Sequence, residues 1–138
     1  MLARSERVAD YANFAKQVTA TSILESLVMA TPVDTSKALS NWQLATTNPV
    51  NHPIEAYAPG RYGSTAALSM LATLRAGDVI AAQSRPGQEI VISNVVDYIH
   101  ELAYEDKSYQ ASAGWVERSV VAGKWRAVSK LRATKGLL

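Results

Sequence analysis

From Leu2 to Ala30 the chain runs without a single proline or glycine, and Pro32 then closes the run. Val8, Tyr11, Ala12, Ala15, Val18, Thr19, Ile23, Leu27 and Ala30 recur in it at spacings of three and four, the repeat of a helix that buries one face. Arg4, Glu6, Arg7, Asp10, Lys16 and Glu25 mostly fall off that stripe, which leaves the other face wet. Because the residue before a proline is pushed out of the α region, the helix has to end near Ala30. In a chain of 138 residues, 48% of them hydrophobic, such a helix is the largest object present, so the remainder is expected to pack on it as one domain.

The remainder reads as short pieces. In Thr31 to Leu39, Asp34 or Thr35 is placed to cap the start of a short helix of only about two turns. Asn41 to Thr47 alternates polar with large apolar side chains, which predicts a strand burying Trp42 and Leu44. Between Asn48 and Gly63 stand Pro49, Pro53, Pro59, Gly60 and Gly63, so a loop is expected there. Ser64 or Thr65 is then expected to cap a helix to about Arg75 that Gly77-Asp78 ends, and Val79 to Ala82 is too short to assign. Glu89 to Asn94 predicts a buried strand, and Asp97 to Glu105 a short helix with Tyr98, Ile99 and Leu102 inward. After a polar loop, Trp115 to about Arg132 predicts a last helix with Val116, Val120, Val121, Trp125, Val128 and Leu131 as its apolar stripe. The expected architecture is α+β: a small antiparallel sheet packed with a long N-terminal and a C-terminal helix, its edges open to other chains.

Composition excludes several functions. With no cysteine there is no disulfide scaffold, no Cys-ligated zinc and no cysteine nucleophile. No apolar run approaches the roughly 18 residues of a membrane span, and the start lacks the apolar centre of a signal peptide, so a soluble chain made in a cytoplasm, with no membrane contact, is expected. Charge is unevenly placed. Residues 1–113 carry 8 Lys and Arg against 11 Asp and Glu, whereas residues 114–138 carry 6 against 1. The basic C-terminal segment suits nucleic acid, an acidic protein surface, or simply the solvated face of a helix.

Chemistry-bearing patterns are weak. His100 with Glu101, Glu105 or Asp106 is a poor metal set, because successive residues diverge around a helix and only Glu101 and Glu105 share a face. His52 stands alone in the Pro-rich loop. Nothing separates the carboxylates into one buried and one wet, as a glycosidase pair requires, and no G-x-S-x-G elbow is present. Pro59-Gly60-Arg61-Tyr62-Gly63-Ser64 opens a helix but lacks the Lys-Ser/Thr of a P-loop, so a turn with a cap is its plainer reading. Arg118, Lys124, Arg126, Lys130, Arg132 and Lys135 offer phosphate contacts, yet Trp115 and Trp125 fall on the apolar stripe, as core or interface anchors do. No enzyme, cofactor or metal is expected.

Two stretches together carry a resemblance. Pro32-Val33-Asp34-Thr35-Ser36 followed by Ser40-Asn41-Trp42-Gln43 resembles the P-V-D-T-G...S-N-W-Q opening of the small tail-completion or neck proteins of tailed bacteriophages, also described as head-tail joining or minor tail proteins. Ile92-Ser93-Asn94, Tyr98-Ile99, Leu102, Ser108, Gln110-Ala111, Ala113-Gly114 and Val116-Glu117 are similar to that family's I-S-N...Y-I...L...G-x-S-x-Q-A-P-A-G-x-V-E. Pro59-Gly60 and Gly63 to Ala67 are also similar. The family has glycine where this chain has Ser36 and again near Asp106, and proline where it has Ser112.

The resemblance implies one neck-like domain over residues 1–138 and a non-enzymatic structural virion protein at the head-tail junction, found in the host cytoplasm during assembly. It further implies a homo-oligomeric ring, six- or twelve-fold, around the DNA channel, with other neck, connector or tail-tube proteins as partners and passing contact with DNA. A small nucleic-acid-binding module using the C-terminal helix is the alternative. Among the residues, Tyr57, Arg61 and Tyr62 are interface candidates because their types are enriched at hot spots. Gln110 and Asn94 are expected to tie the last loop to backbone groups, with an interface role for Gln110 as the other reading. Arg126, Lys130, Arg132 and Lys135 are expected to face DNA or an acidic neighbour, while Asp34, Asn41, Trp42, Asn94 and Tyr98 are assigned structural roles.

Overall fold

The computed structural model describes residues 4–104 and 113–134, with side chains from Glu6 onward. Among these residues the order is α1 (Arg4–Ala30), α2 (Lys37–Ser40), β1 (Gln43–Ala45), α3 (Ala66–Gln83), β2 (Val91–Ser93), α4 (Ile99–Tyr104) and α5 (Trp115–Thr134). The fold is α+β. β1 and β2 pair antiparallel with Gln43 opposite Ser93, Leu44 opposite Ile92 and Ala45 opposite Val91. A two-stranded ribbon is marginal alone, so the helices have to supply its stability.

α1 is the spine, and both α3 and α5 pack on it. Its buried positions are Ala20, Ser22, Leu24, Ser26, Leu27 and Val28, a two-sided set rather than the single stripe expected from Val8 to Ala30. Val8 and Tyr11 are exposed instead, because the packed length of α1 is its C-terminal half. Leu24, Leu27, Val28, Leu39, Trp42, Leu44 and Trp115 form the centre of the core. There the two indole rings meet edge to face at 6.2 Å, and each N–H is satisfied: Trp42 Nε1 donates to Thr31 Oγ1 at 2.8 Å and Trp115 Nε1 to the Leu102 carbonyl at 2.8 Å.

The flanking helices approach α1 through small residues. α3 buries Ser69, Thr73, Gly77 and Ala81, and α5 buries Trp115, Ser119, Gly123 and Ala127, each set spaced by four. A Cβ on Gly77 would stand 2.2 Å from Leu24 Cδ2, and one on Gly123 would stand 2.4 Å from the Cα of Ile23. Gly77 therefore does not end α3, contrary to expectation; it lets α3 come close to α1 while the helix continues to Gln83. Val79 to Ala82 belong to this helix.

Other expectations also change. Asp34 and Thr35 do not cap α2: its N-cap is Ser36 in the left-handed region at φ 69°, without a side-chain cap bond. Thr65 precedes α3 but makes no cap bond either, because its Oγ1 pairs with Ser36 Oγ at 3.0 Å. Both strands are only three residues long, and β2 is half-buried rather than buried. Val121 and Trp125 leave the expected apolar stripe of α5 and are exposed.

Candidate functional site

The Pro-rich loop is irregular, yet its backbone is pinned from both sides. Asn41, fully buried, donates from Nδ2 to the Lys37 carbonyl at 2.7 Å and the Ile54 carbonyl at 2.9 Å, and its Oδ1 accepts the Ile54 N–H at 2.7 Å. Ser40 Oγ accepts the Tyr57 N–H at 3.1 Å, and Ser69 Oγ accepts that of Ala58 at 3.1 Å. Asp34 holds the far end: its carboxylate accepts the Tyr62 N–H at 2.6 Å and its carbonyl that of Gly63 at 2.9 Å. The Tyr62 and Gly63 amides, which an anion at this turn would meet, are thus occupied by Asp34.

That anchoring displays aromatic side chains. Tyr62 sits at φ 58°, a conformation that costs a non-glycine residue roughly 1–2 kcal/mol, and it is 91% exposed. Tyr57 and Arg61 are exposed beside it in sequence. An aromatic side chain held out in water by a constrained backbone is a presented group, not a packed one.

Asn94 bonds to backbone groups, as expected, and those described belong to α2 and to Val96 just beyond β2. Its Nδ2 donates to the Ala38 carbonyl at 2.8 Å and its Oδ1 accepts the Val96 N–H at 3.2 Å, so it ties the end of β2 to α2, while the expected tie to the last loop lies outside the described residues. Tyr98 is half-buried against the same helix; burial raises its phenol above the usual value, with the Ala38 amide and Thr35 hydroxyl opposing. Trp42 lies in the core.

On α5 the basic residues divide. Lys130 Nζ and Arg126 Nη1 reach the Glu25 carboxylate of α1 at 2.8 and 3.5 Å, so two of the residues expected to face DNA or an acidic neighbour share a partner within the chain. Lys124 and Arg132 are exposed. Gln110 and Lys135 lie outside the described residues, as do Glu105 and Asp106. No group of three or more His, Asp or Glu close enough to hold a metal occurs among the described residues, and no described helix is long and apolar enough to cross a membrane.

The outer faces are unusual. Leu71, Arg75 and Val79 fall two positions from the buried Ser69, Thr73, Gly77 and Ala81, which puts them about 200° away around α3, directly opposite α1. Val121 and Trp125 stand in the same relation to Gly123 on α5. Leu68, Leu71, Val79, Val121 and Trp125 are 48–66% exposed, with Trp125 the most exposed of them. Toward α1, α3 places Ser69, Thr73, Gly77 and Ala81 and α5 places Ser119, Gly123 and Ala127, while Leu68, Leu71 and Val79, with Arg75 among them, and Val121 and Trp125 face solvent.

Two concavities adjoin α5. Along its seam with α1 runs a shallow groove lined by Ser26, Met29, Arg118, Ala122 and Arg126, continued past Trp125 to Lys130. At its start, between β2 and α4, lies a pocket of about 200 Å³ lined by Trp42, Ile92, Ser93, Asn94, Ile99, His100, Ala103, Tyr104 and Val116. Beside that pocket Tyr104 donates its hydroxyl to Glu117 Oε1 at 2.6 Å. This bond holds the carboxyl of Glu117 below its usual range and raises the phenol of Tyr104.

Comparison with family models, curated proteins and solved structures finds no match to this chain.

Proposed function

We propose that the chain is a non-enzymatic structural subunit of a tailed-phage virion, a ring protein at the head-tail junction that completes the tail or joins it to the head around the DNA channel. The observation that carries this reading is the outward bulk of α3 and α5. Leu71, Val79, Val121 and Trp125 stay in water while glycine and serine are buried, and a subunit that covers these faces on assembly would put that apolar surface to use. A ring subunit needs two different contact surfaces, one for each neighbour, because a head-to-tail interface never pairs a patch with itself. The outer faces of α3 and α5 and the displayed Tyr62 are candidate surfaces for such contacts. The resemblance of residues 31 to 121 to the neck family supplies the location.

The alternative, a small nucleic-acid-binding module, is favoured by the exposed Lys124 and Arg132. The pairing of Arg126 and Lys130 with Glu25 weakens it, since those cations are already partly neutralised. Electron microscopy of particles made with and without this chain separates the readings. Separate heads and tails in its absence are expected. Normal virions would overturn the proposal and direct attention to DNA binding that falls steeply with salt.

A further inference from the structure

We propose that Trp125 of one copy of the chain seats in the pocket between β2, α4 and the start of α5 of a second copy, joining subunits head to tail. The inference rests on the ring reading above and deepens it by naming the two surfaces that meet. Trp125 is 66% exposed, whereas the other two tryptophans are buried. Tryptophan is the residue most enriched where a few side chains carry an interface, and such anchors fill pockets on the partner.

The pocket suits that role better than it suits a ligand. At about 200 Å³ it lies below the roughly 300–1,000 Å³ of small-molecule sites. Its walls are mostly apolar or aromatic, from Trp42, Ile92, Ile99, Tyr104 and Val116, with Ser93, Asn94 and His100 as polar members, which suits it as a socket for an indole with its one N–H. Trp125 of the same chain cannot fill it. Val116 and Trp125 are nine residues apart on one helix, about 13 Å along the axis and half a turn around it. Knob and socket therefore face opposite ways. The Trp125 that reaches the socket thus comes from another subunit, and each addition leaves a knob and a socket free, as a closing ring requires.

Charge agrees. Trp125 stands between Lys124 and Arg126, and with Lys130 these are three cations set against the single Glu25 carboxylate. Around the socket, Asp97, Glu101 and Glu117 are exposed beside lining residues; among the described residues, Arg118 is the cation of this region, and it donates to the Ala113 carbonyl. A positive knob thus meets a negative rim, an arrangement that fixes orientation and speeds encounter.

Sedimentation velocity of the full chain over a concentration series, at low and high salt, tests the contact. Trp125→Ala is expected to weaken self-association by about 30-fold or more. His100→Trp, placed at an exposed position of the socket lining, should do the same. Mixing the two variants should restore a complex that stops at a dimer, since one retains a socket and the other a knob. Should His100→Trp fail to fold by circular dichroism, Lys124→Glu and Glu101→Lys replace the pair: each should weaken association alone and recover it when mixed. Self-association that none of these changes alters would overturn the contact while leaving the ring reading standing. A wild-type chain that stays monomeric throughout the series also overturns it, and the ring is then decided by the particles alone. Loss of DNA binding in Trp125→Ala with self-association intact would overturn it too, and assign Trp125 to nucleic acid.

Discussion

Asn41 is the residue on which the Pro-rich loop hangs, since one buried amide meets the carbonyl of Lys37 and both backbone groups of Ile54. Removing it strands buried partners, so Asn41→Ala is expected to cost about 2–4 kcal/mol in urea denaturation, with faster proteolysis near Ile54. Asn41→Asp should be no better, because it keeps the acceptor for the Ile54 N–H but turns a carboxylate toward two carbonyls. Tyr104 and Glu117 give a milder effect with a definite sign. The phenol hydroxyl lowers the Glu117 carboxyl, so its contribution is present above the usual 4.5 and is lost as pH falls through the depressed value. Tyr104→Phe should move the Glu117 titration, followed by NMR, back up toward 4.5, and the two proteins should converge in stability at lower pH. Burial of Tyr98 works in the opposite direction: what its raised phenol contributes is present below 10 and lost as pH rises past its folded value.

At the scale of elements, the two close approaches make a paired prediction. Alanine gains about 1 kcal/mol over glycine in a helix, yet at position 123 its Cβ would strike the backbone of Ile23. Gly123→Ala should therefore lower stability by about 1–3 kcal/mol net. Gly77→Ala should cost less, because the obstructing atom is the end of the Leu24 side chain, which can turn. Thermal melts of the two variants check the ranking. These contacts also explain what could be read from the sequence. The long first helix, the strand around Leu44 and the last helix were legible from period and composition, and so was the α+β class. The inward face was not, since hydrophobic periodicity assumes that bulk goes inside, and here Ser119, Gly123 and Ala127 go inside while Trp125 stays out. Gly77 misleads for the same reason, being a packing residue that resembles a terminator. Tyr57 and Tyr62 could be marked by residue type within a Pro-rich loop. The capping role expected of Asp34 could not be corrected from sequence, because its partner amides lie 28 or 29 residues away.

For the whole molecule, the outer strip of α3 offers a test independent of Trp125. Leu71 and Val79 point away from α1 and are about half exposed, so charge there is nearly free in the isolated chain. Surface substitutions away from packed features usually stay within about 0.5 kcal/mol. Leu71→Glu with Val79→Glu should therefore melt with the wild type and gain solubility. In an assembly the same strip would be covered, and two carboxylates buried without partners would be strongly unfavourable. If the chain is a ring subunit that uses α3 toward a neighbour, the double variant should fold normally yet be missing from purified particles, and heads and tails should accumulate unjoined. Incorporation at the wild-type level would mean that the α3 strip faces solvent in the virion. The ring contact would then rest on the Trp125 knob and its socket, with Tyr57, Arg61 and Tyr62 as the remaining exposed candidates, where the constrained backbone already holds an aromatic side chain in water.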